Sequence, residues 1–252
     1  MNIKWNAQNY KEKFSFVPQY GEDVMNLLTV PEGSKVVDLG CGNGTLTKKL
    51  ADRGFSVIGI DASDDMISLA RAEYPELAFA QGDAVSFKLV EPADAIFSNA
   101  VFHWIDAGKQ EDMIVNVASQ LRTGGELVCE FGGRGCAETV HSALEACFEK
   151  RGLVYPRTFY FPTIGQYAPL LEKHGLRVET AALFDRPTQQ KTAHGVIDWI
   201  IMFVTKPFEG MDEAIKNEIL QETENALKDR LFLDGKWYID YVRIRLRARK
   251  IK

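Results

Sequence analysis

An α/β fold built on a mostly parallel sheet is predicted by three features of this 252-residue chain. From residue 36 to about 131, short apolar runs alternate with amphipathic stretches, the pattern of repeated strand and helix units. The first of these runs, 36–39, feeds directly into Gly40-Cys41-Gly42-Asn43-Gly44, a glycine turn that opens a helix. Near the end of the chain, Val242, Ile244, Leu246 and Ala248 alternate with Tyr241, Arg243, Arg245 and Arg247, the period of a half-buried antiparallel edge strand.

Taken in order, the elements support that class. A helix begins at Thr45, carries Leu46 and Leu50 on one face and stops at Gly54. The second strand, 55–60, ends at Asp61. Ser63 caps the next helix, with Asp64 and Asp65 in the first turn, where the helix dipole favours negative charge, and Met66, Ile67 and Ala70 as its buried stripe. A third strand at 77–80 ends near Asp83 and a fourth at 95–98 near Asn99. Helical spacing returns at Met113, Ile114, Val117, Ala118 and Leu121, and Gly124-Gly125 turns the chain into a fifth strand at 127–131. Val140, Leu144 and Phe148 mark another helix, and 155–162 is an aromatic, proline-interrupted connector. Two more strands, 176–184 and 237–248, bring the count to seven. Helical stretches at 196–204 and 211–231 are too long for a simple connection and read as a cap inserted over the ligand end of the sheet. The chain thus reads as one domain, 1–252: a helical lid at 1–35, a ligand-binding core at 36–135, and the remaining sheet at 136–252 with the cap at about 186–234.

Composition narrows the function. With 46% hydrophobic residues the chain buries a full core. Cys41, Cys129, Cys136 and Cys147 form no CxxC pair, and His103, His141, His174 and His194 have no tight metal-ligand spacing, so reduced thiols and no metal are expected. No signal peptide and no run near the roughly 20 apolar residues of a membrane span is visible, so a cytoplasmic protein without a membrane partner is expected. The net charge of −5 favours a small-molecule partner over a nucleic acid held by its phosphates. Oligomeric state is not legible.

Ligands of open parallel sheets sit beyond the carboxyl ends of the strands, so Gly40, Gly42, Gly44, Asp61, Asp83 and Asn99 should converge. At the end of the second strand, Asp61 suits both hydroxyls of an adenosine ribose; Asp83 suits an adenine amine. Each feature alone is as well explained by a turn or a helix cap. A dinucleotide site wants GxGxxG and a pyrophosphate at the helix N-terminus, yet here Asp38 places a carboxylate close to that position. The acid suits instead a ligand bearing an ammonium and a sulfonium.

The segments Val37-Asp38-Leu39-Gly40-Cys41-Gly42-Asn43-Gly44, Gly59-Ile60-Asp61, Gly82-Asp83-Ala84 and Ser98-Asn99-Ala100 resemble the successive cofactor motifs of class I S-adenosylmethionine-dependent methyltransferases. More narrowly, the run from Ser98 to Ile105, with Trp5 and Tyr10 upstream, is similar to the trans-aconitate methyltransferase-like (methyltransferase type 11) branch. The resemblance implies a Rossmann-like, seven-stranded sheet with a final antiparallel strand inserted in it, and helices on both faces. It implies S-adenosyl-L-methionine as cofactor and S-adenosyl-L-homocysteine as product. Asp38 and the Gly40 backbone would then face the methionyl end, Asp61 the ribose, and Asp83 with Ala84 the adenine, while Asn99 backs the cofactor. Tyr10, Cys41, Gly42, Ala62 and Met66 complete the implied cofactor shell. Tyr10 is taken as a lid residue, and Trp5, Phe14, Phe16 and Tyr20 either join it or pack in helices.

Methyl transfer from a sulfonium needs positioning more than covalent help. A carboxylate acceptor needs no base, since it is ionised at neutral pH; a hydroxyl does. His103 is placed to orient or deprotonate an acceptor, or else hydrogen-bonds its own turn while Trp104 packs in the core. Arg157 and Arg186, near the junctions of sheet and cap, either grip an acceptor carboxylate or are structural. Trp104 and Trp199 are the aromatic candidates for acceptor contact. Arg243, Arg245, Arg247 and Arg249 share one strand face, read as solvated, with a basic ribbon for RNA as the alternative. The expected activity is methyl transfer to a small polar, carboxylate-bearing acceptor. Its rivals are a noncatalytic S-adenosylmethionine-binding protein, an NAD-dependent oxidoreductase and an RNA methyltransferase.

Overall fold

A computed structural model describes residues 16–251. In chain order the elements are α1 (Phe16–Met25), β1 (Lys35–Leu39), α2 (Thr45–Asp52), β2 (Ser56–Asp61), α3 (Asp64–Glu73), β3 (Ala78–Gln81), β4 (Ala93–Asn99), α4 (Gln110–Gln120), β5 (Leu121–Gly132), α5 (Glu138–Glu149), α6 (Ile164–Lys173), β6 (Leu176–Gln189), α7 (Gly195–Phe203), α8 (Glu213–Leu231), β7 (Phe232–Leu233) and β8 (Lys236–Lys250). The Ser63 cap forms as expected: its hydroxyl accepts the Met66 N–H at 3.3 Å, fixing the start of α3 just past Asp61.

Seven strands run in the order β3-β2-β1-β4-β5-β8-β6, and the two-residue β7 pairs only with the start of β8. β1 lies between β2 and β4, so the strand order reverses there and a crevice opens at its carboxyl end. β8 alone runs antiparallel, and it is not an edge: it pairs with β5 on one side and β6 on the other. The period of two misleads because the two halves of β8 bury opposite faces. Trp237, Ile239 and Tyr241 pack into the helical cap, whereas Ile244, Leu246 and Ala248 pack under α4 and α6.

Both faces of the sheet are covered. Val24 and Met25 of α1 and Leu46 and Leu50 of α2 close on Val36, Ala95, Phe97 and Val128. On the other face Met113, Ile114 and Val117 of α4 and Tyr167 and Leu171 of α6 close on Ile96, Leu127 and Phe131. The cap draws on two stretches of chain. Val140, Leu144, Cys147 and Phe148 of α5 pack with Val196, Trp199 and Ile200 of α7 and Ile219, Leu220 and Leu227 of α8, so α5 turns its apolar stripe to the cap. No helix among the described residues is long and apolar enough to cross a membrane.

The arginines of β8 form neither a solvated face nor an open basic ribbon. Glu130 of β5, 2% exposed, accepts from Arg245 Nε at 2.7 Å and from Arg186 Nη1 at 2.5 Å. Arg249 donates to Glu179 at 3.0 Å, with Arg247 at 3.4 Å from the same carboxylate, and Glu126 takes the Thr29 hydroxyl at 2.6 Å with Arg249 3.5 Å away. Three glutamates thus answer four arginines and tie α1's trailing loop and β6 to the middle strands of the sheet. Replacing Glu130 with Ala strands two mostly buried cations, and urea unfolding should show a loss of about 3 kcal/mol.

Candidate functional site

The first strand delivers Asp38 and then turns through Gly40, Gly42 and Gly44, whose φ angles of 77°, 54° and 80° lie in the left-handed region. At Gly40 the constraint is doubled, because a Cβ there would sit 2.2 Å from a methyl of Val101. The N–H groups of Gly40 and Cys41 both donate to the Ile60 carbonyl, at 2.7 and 3.1 Å, lashing the turn to the end of β2. Asp61, next along, accepts the Gly42 N–H at 3.0 Å on one oxygen and the Ser63 N–H at 2.9 Å on the other. Burial raises its carboxyl above the ordinary range, against those same N–H groups.

Gly40, Gly42, Asp61, Ala62, Met66, Asp83, Ala84 and Asn99 line one cleft of about 670 Å³ including its open mouth, and Trp104 forms part of the same wall. Leu39, Gly82, Ala100, Val101 and Ile105 also line it; they lie inside the motif segments read from sequence but were given no individual role there. Ala100 sits at φ 62°, a conformation L-residues adopt at a cost, with its N–H held by the Glu130 carbonyl at 2.7 Å.

Asp38 stands apart from the cleft wall. It is 1% exposed, and the Thr47 hydroxyl donates to it at 2.7 Å. Burial, with the Asp61 charge beside it, pushes its carboxyl up to about 7 despite that hydrogen bond. No ion pair reaches it among the described residues. Cys41 is likewise off the cleft wall, packed with Ile67, Ala70 and Phe79, and burial drives its thiol far above the range of a nucleophile. Trp5, Tyr10 and Phe14 lie outside the described residues, as do the side chains of Phe16 and Tyr20.

His103 occupies a single turn, Phe102–Trp104, just past β4. Its Nδ1 accepts the Gly132 N–H at 3.3 Å, which leaves the ring proton on Nε2. Burial, reinforced by the Arg243 charge, holds its pKa well below the ordinary histidine value. The ring is therefore neutral and a poor proton acceptor. It lies 5.1 Å from Trp104 and about 6 Å from the stacked pair Phe159 and Phe161, which His141 flanks on its own side. Trp199 reaches from the cap to donate Nε1–H to the Tyr241 hydroxyl at 2.5 Å.

The two arginines expected to grip an acceptor are engaged elsewhere. Arg157 pairs with Glu138 at 2.7 Å and Glu145 at 2.8 Å on the outside of the cap, and Arg186 is held by Glu130. Proximity to a sheet–cap junction in sequence did not fix which way either side chain turns. All four cysteines are free and buried, and no group of metal-ligating side chains gathers among the described residues.

Comparison with known proteins agrees with this geometry. Residues 36–125 match a family described as a methyltransferase domain. An uncharacterized methyltransferase of Schizosaccharomyces pombe is 33% identical over 260 residues, 98% of either chain. The trans-aconitate 2-methyltransferase of Variovorax paradoxus is 26% identical, over 98% of this chain and 99% of that one. Among solved structures, a Haemonchus contortus phosphoethanolamine N-methyltransferase in complex with phosphomonomethylethanolamine and S-adenosylhomocysteine superposes with a TM-score of 0.58. That match covers 93% of this chain and 53% of the other at 14% identity, a likeness of fold alone.

Asp38 has a direct consequence for stability. Its carboxyl titrates near 3.9 in the unfolded chain and about 7 in the folded one. The stability it contributes is complete below the lower value and is lost as pH rises through the upper one. Without ligand, Asp38→Asn should therefore be more stable than the native protein by roughly 1–3 kcal/mol at pH 8 and equal to it near pH 4; thermal unfolding at the two pH values checks this.

Proposed function

This chain belongs to the class I S-adenosylmethionine-dependent methyltransferases, and we propose that it transfers the sulfonium methyl to a carboxylate of a small organic acid. The observation that carries the cofactor half is Asp38, a buried carboxylate with no cation beside it among the described residues, under a turn whose glycines leave the main chain bare. A ligand with an ammonium group supplies the missing charge, and a pyrophosphate would repel it. The cleft fits the rest of S-adenosylmethionine in the same way: Asp61 to accept from the ribose hydroxyls, Asp83 beside Ala84 for the adenine, and Asn99 with Val101 along the methionyl end. Bound there, the cofactor supplies a methyl already activated on sulfur, displaced in line as the C–S electron pair stays with the thioether.

The chain's task is then alignment, for which in-line positioning can contribute about 7–11 kcal/mol. A neutral His103 with depressed basicity is poorly suited to deprotonate a hydroxyl. A carboxylate needs no such help, being ionised at neutral pH. The Variovorax trans-aconitate 2-methyltransferase, similar over the full length, supports the same acceptor class.

Calorimetry and a labelled-methyl assay test both halves. S-adenosylhomocysteine should bind in the micromolar range and NAD should not, and Asp61→Ala should weaken the former by about 10- to 100-fold, the equivalent of a charge-assisted hydrogen bond. With labelled S-adenosylmethionine, trans-aconitate should yield a methyl ester. Labelling of amines or alcohols in preference to carboxylic acids would overturn the acceptor class.

A further inference from the structure

Among the described residues, Arg243 is the arginine of β8 without a carboxylate partner. Resting on the carboxylate reading above, we propose that Arg243 and His103 bind a non-reacting carboxylate, so that the acceptor is a di- or tricarboxylic acid.

Arg243 lies opposite Gly132 of β5 and Phe184 of β6, two residues beyond the Glu130 and Arg245 pair on the same face. Along the same face Arg245, Arg247 and Arg249 each meet a glutamate. Arg243 is 7% exposed and has neither ion pair nor hydrogen bond among the described residues; its guanidinium lies over the Tyr241 ring, 4.3 Å from the centroid. A guanidinium stays charged under all working conditions, and burial without an anion is costly. Contact with an aromatic face offsets only part of that cost. The Tyr241 ring is itself fixed by Trp199 of the cap, so the cation is held in one place rather than left to find solvent.

A second donor stands beside it. His103 takes the N–H of Gly132, the residue paired with Arg243, and this fixes its proton on Nε2. A planar fork and a neutral imidazole N–H together suit a carboxylate, which accepts from both without a proton changing hands. Trp104, a residue of the cleft wall, carries its ring 5.1 Å from that of His103 and so sets the pair behind that wall. An arginine clamped on the attacking carboxylate would draw charge from the nucleophile, so the chemistry assigns this pair to a carboxylate that anchors rather than reacts.

The test compares trans-aconitate, with three carboxylates, and crotonate, a monocarboxylate that keeps the olefin, as acceptors for the native protein, Arg243→Gln and Arg243→Lys. Calorimetry with S-adenosylhomocysteine reports whether each variant keeps its cofactor site. The native protein should prefer trans-aconitate by at least about 100-fold in kcat/KM. R243Q should raise KM for trans-aconitate about 10- to 100-fold with a smaller change in kcat, erase most of the preference, and bind S-adenosylhomocysteine within about twofold of the native protein. R243K should recover part of the loss. Equal use of crotonate and trans-aconitate by the native protein, or an unchanged preference in R243Q, overturns the Arg243 assignment and leaves the carboxylate acceptor standing. Methylation of neither acid by the native protein removes both. Should R243Q lose S-adenosylhomocysteine binding, R243K decides: a preference undiminished from the native value overturns the assignment.

Discussion

A carboxylate buried at the end of the first strand, with one hydroxyl to answer it, is the constraint around which the cleft is organised. Asp38 cannot move toward water, because β1 is an interior strand, flanked by β2 and β4, and Thr47 of α2 donates to the carboxylate. The turn above it must therefore be thin enough to let a ligand's positive end approach. That explains why Gly40 has no room for a Cβ and why its neighbours are lashed to Ile60. Asp61 is placed by the same device, since Gly42 and Ser63 hold both of its oxygens. One backbone conformation thus sets two carboxylates in relation to a single cleft.

The acceptor side shows the opposite imbalance. Around β8, among the described residues, carboxylates and guanidinium groups are matched across strands except at Arg243, which lies over the Tyr241 ring on the cap side of the strand. The cap contributes by fixing Tyr241 through Trp199, and the 155–162 connector closes Phe159 and Phe161 around His103. Excess negative charge beneath the turn and excess positive charge under the cap suit a cationic methyl donor and an anionic acceptor meeting between them. The proposed carboxylate acceptor would also account for a histidine that is present yet has little basicity: with the reacting group already ionised, its N–H is the useful end.

Much of the sheet is legible in sequence because its signals are local. The glycine turn, the Ser63 cap and the strand-end residues Asp61, Asp83 and Asn99 follow from short patterns, and the structure brings those three residues to one cleft. What escaped depends on distant partners. Arg245 meets Glu130 across 115 residues, so a stripe of arginines looks solvated until β5 is set beside β8. Alternation likewise suggested an edge strand, because no local pattern distinguishes one exposed face from two faces buried in different halves of the strand. Arg157 and Arg186, read from sequence as candidates to grip an acceptor, are instead paired with Glu138, Glu145 and Glu130. The unpaired state of Arg243 is legible only by comparison with its three paired neighbours.

Proton counting tests the central role of Asp38 most directly. If the ammonium of S-adenosylhomocysteine is answered by an ionised Asp38, a group that sits near its midpoint at pH 7 must lose its proton on binding. Calorimetry in buffers of different ionisation enthalpy at pH 7 should record release of about half a proton per site, abolished by Asp38→Asn. Binding with no proton release, or with the same release in the asparagine variant, would contradict the account.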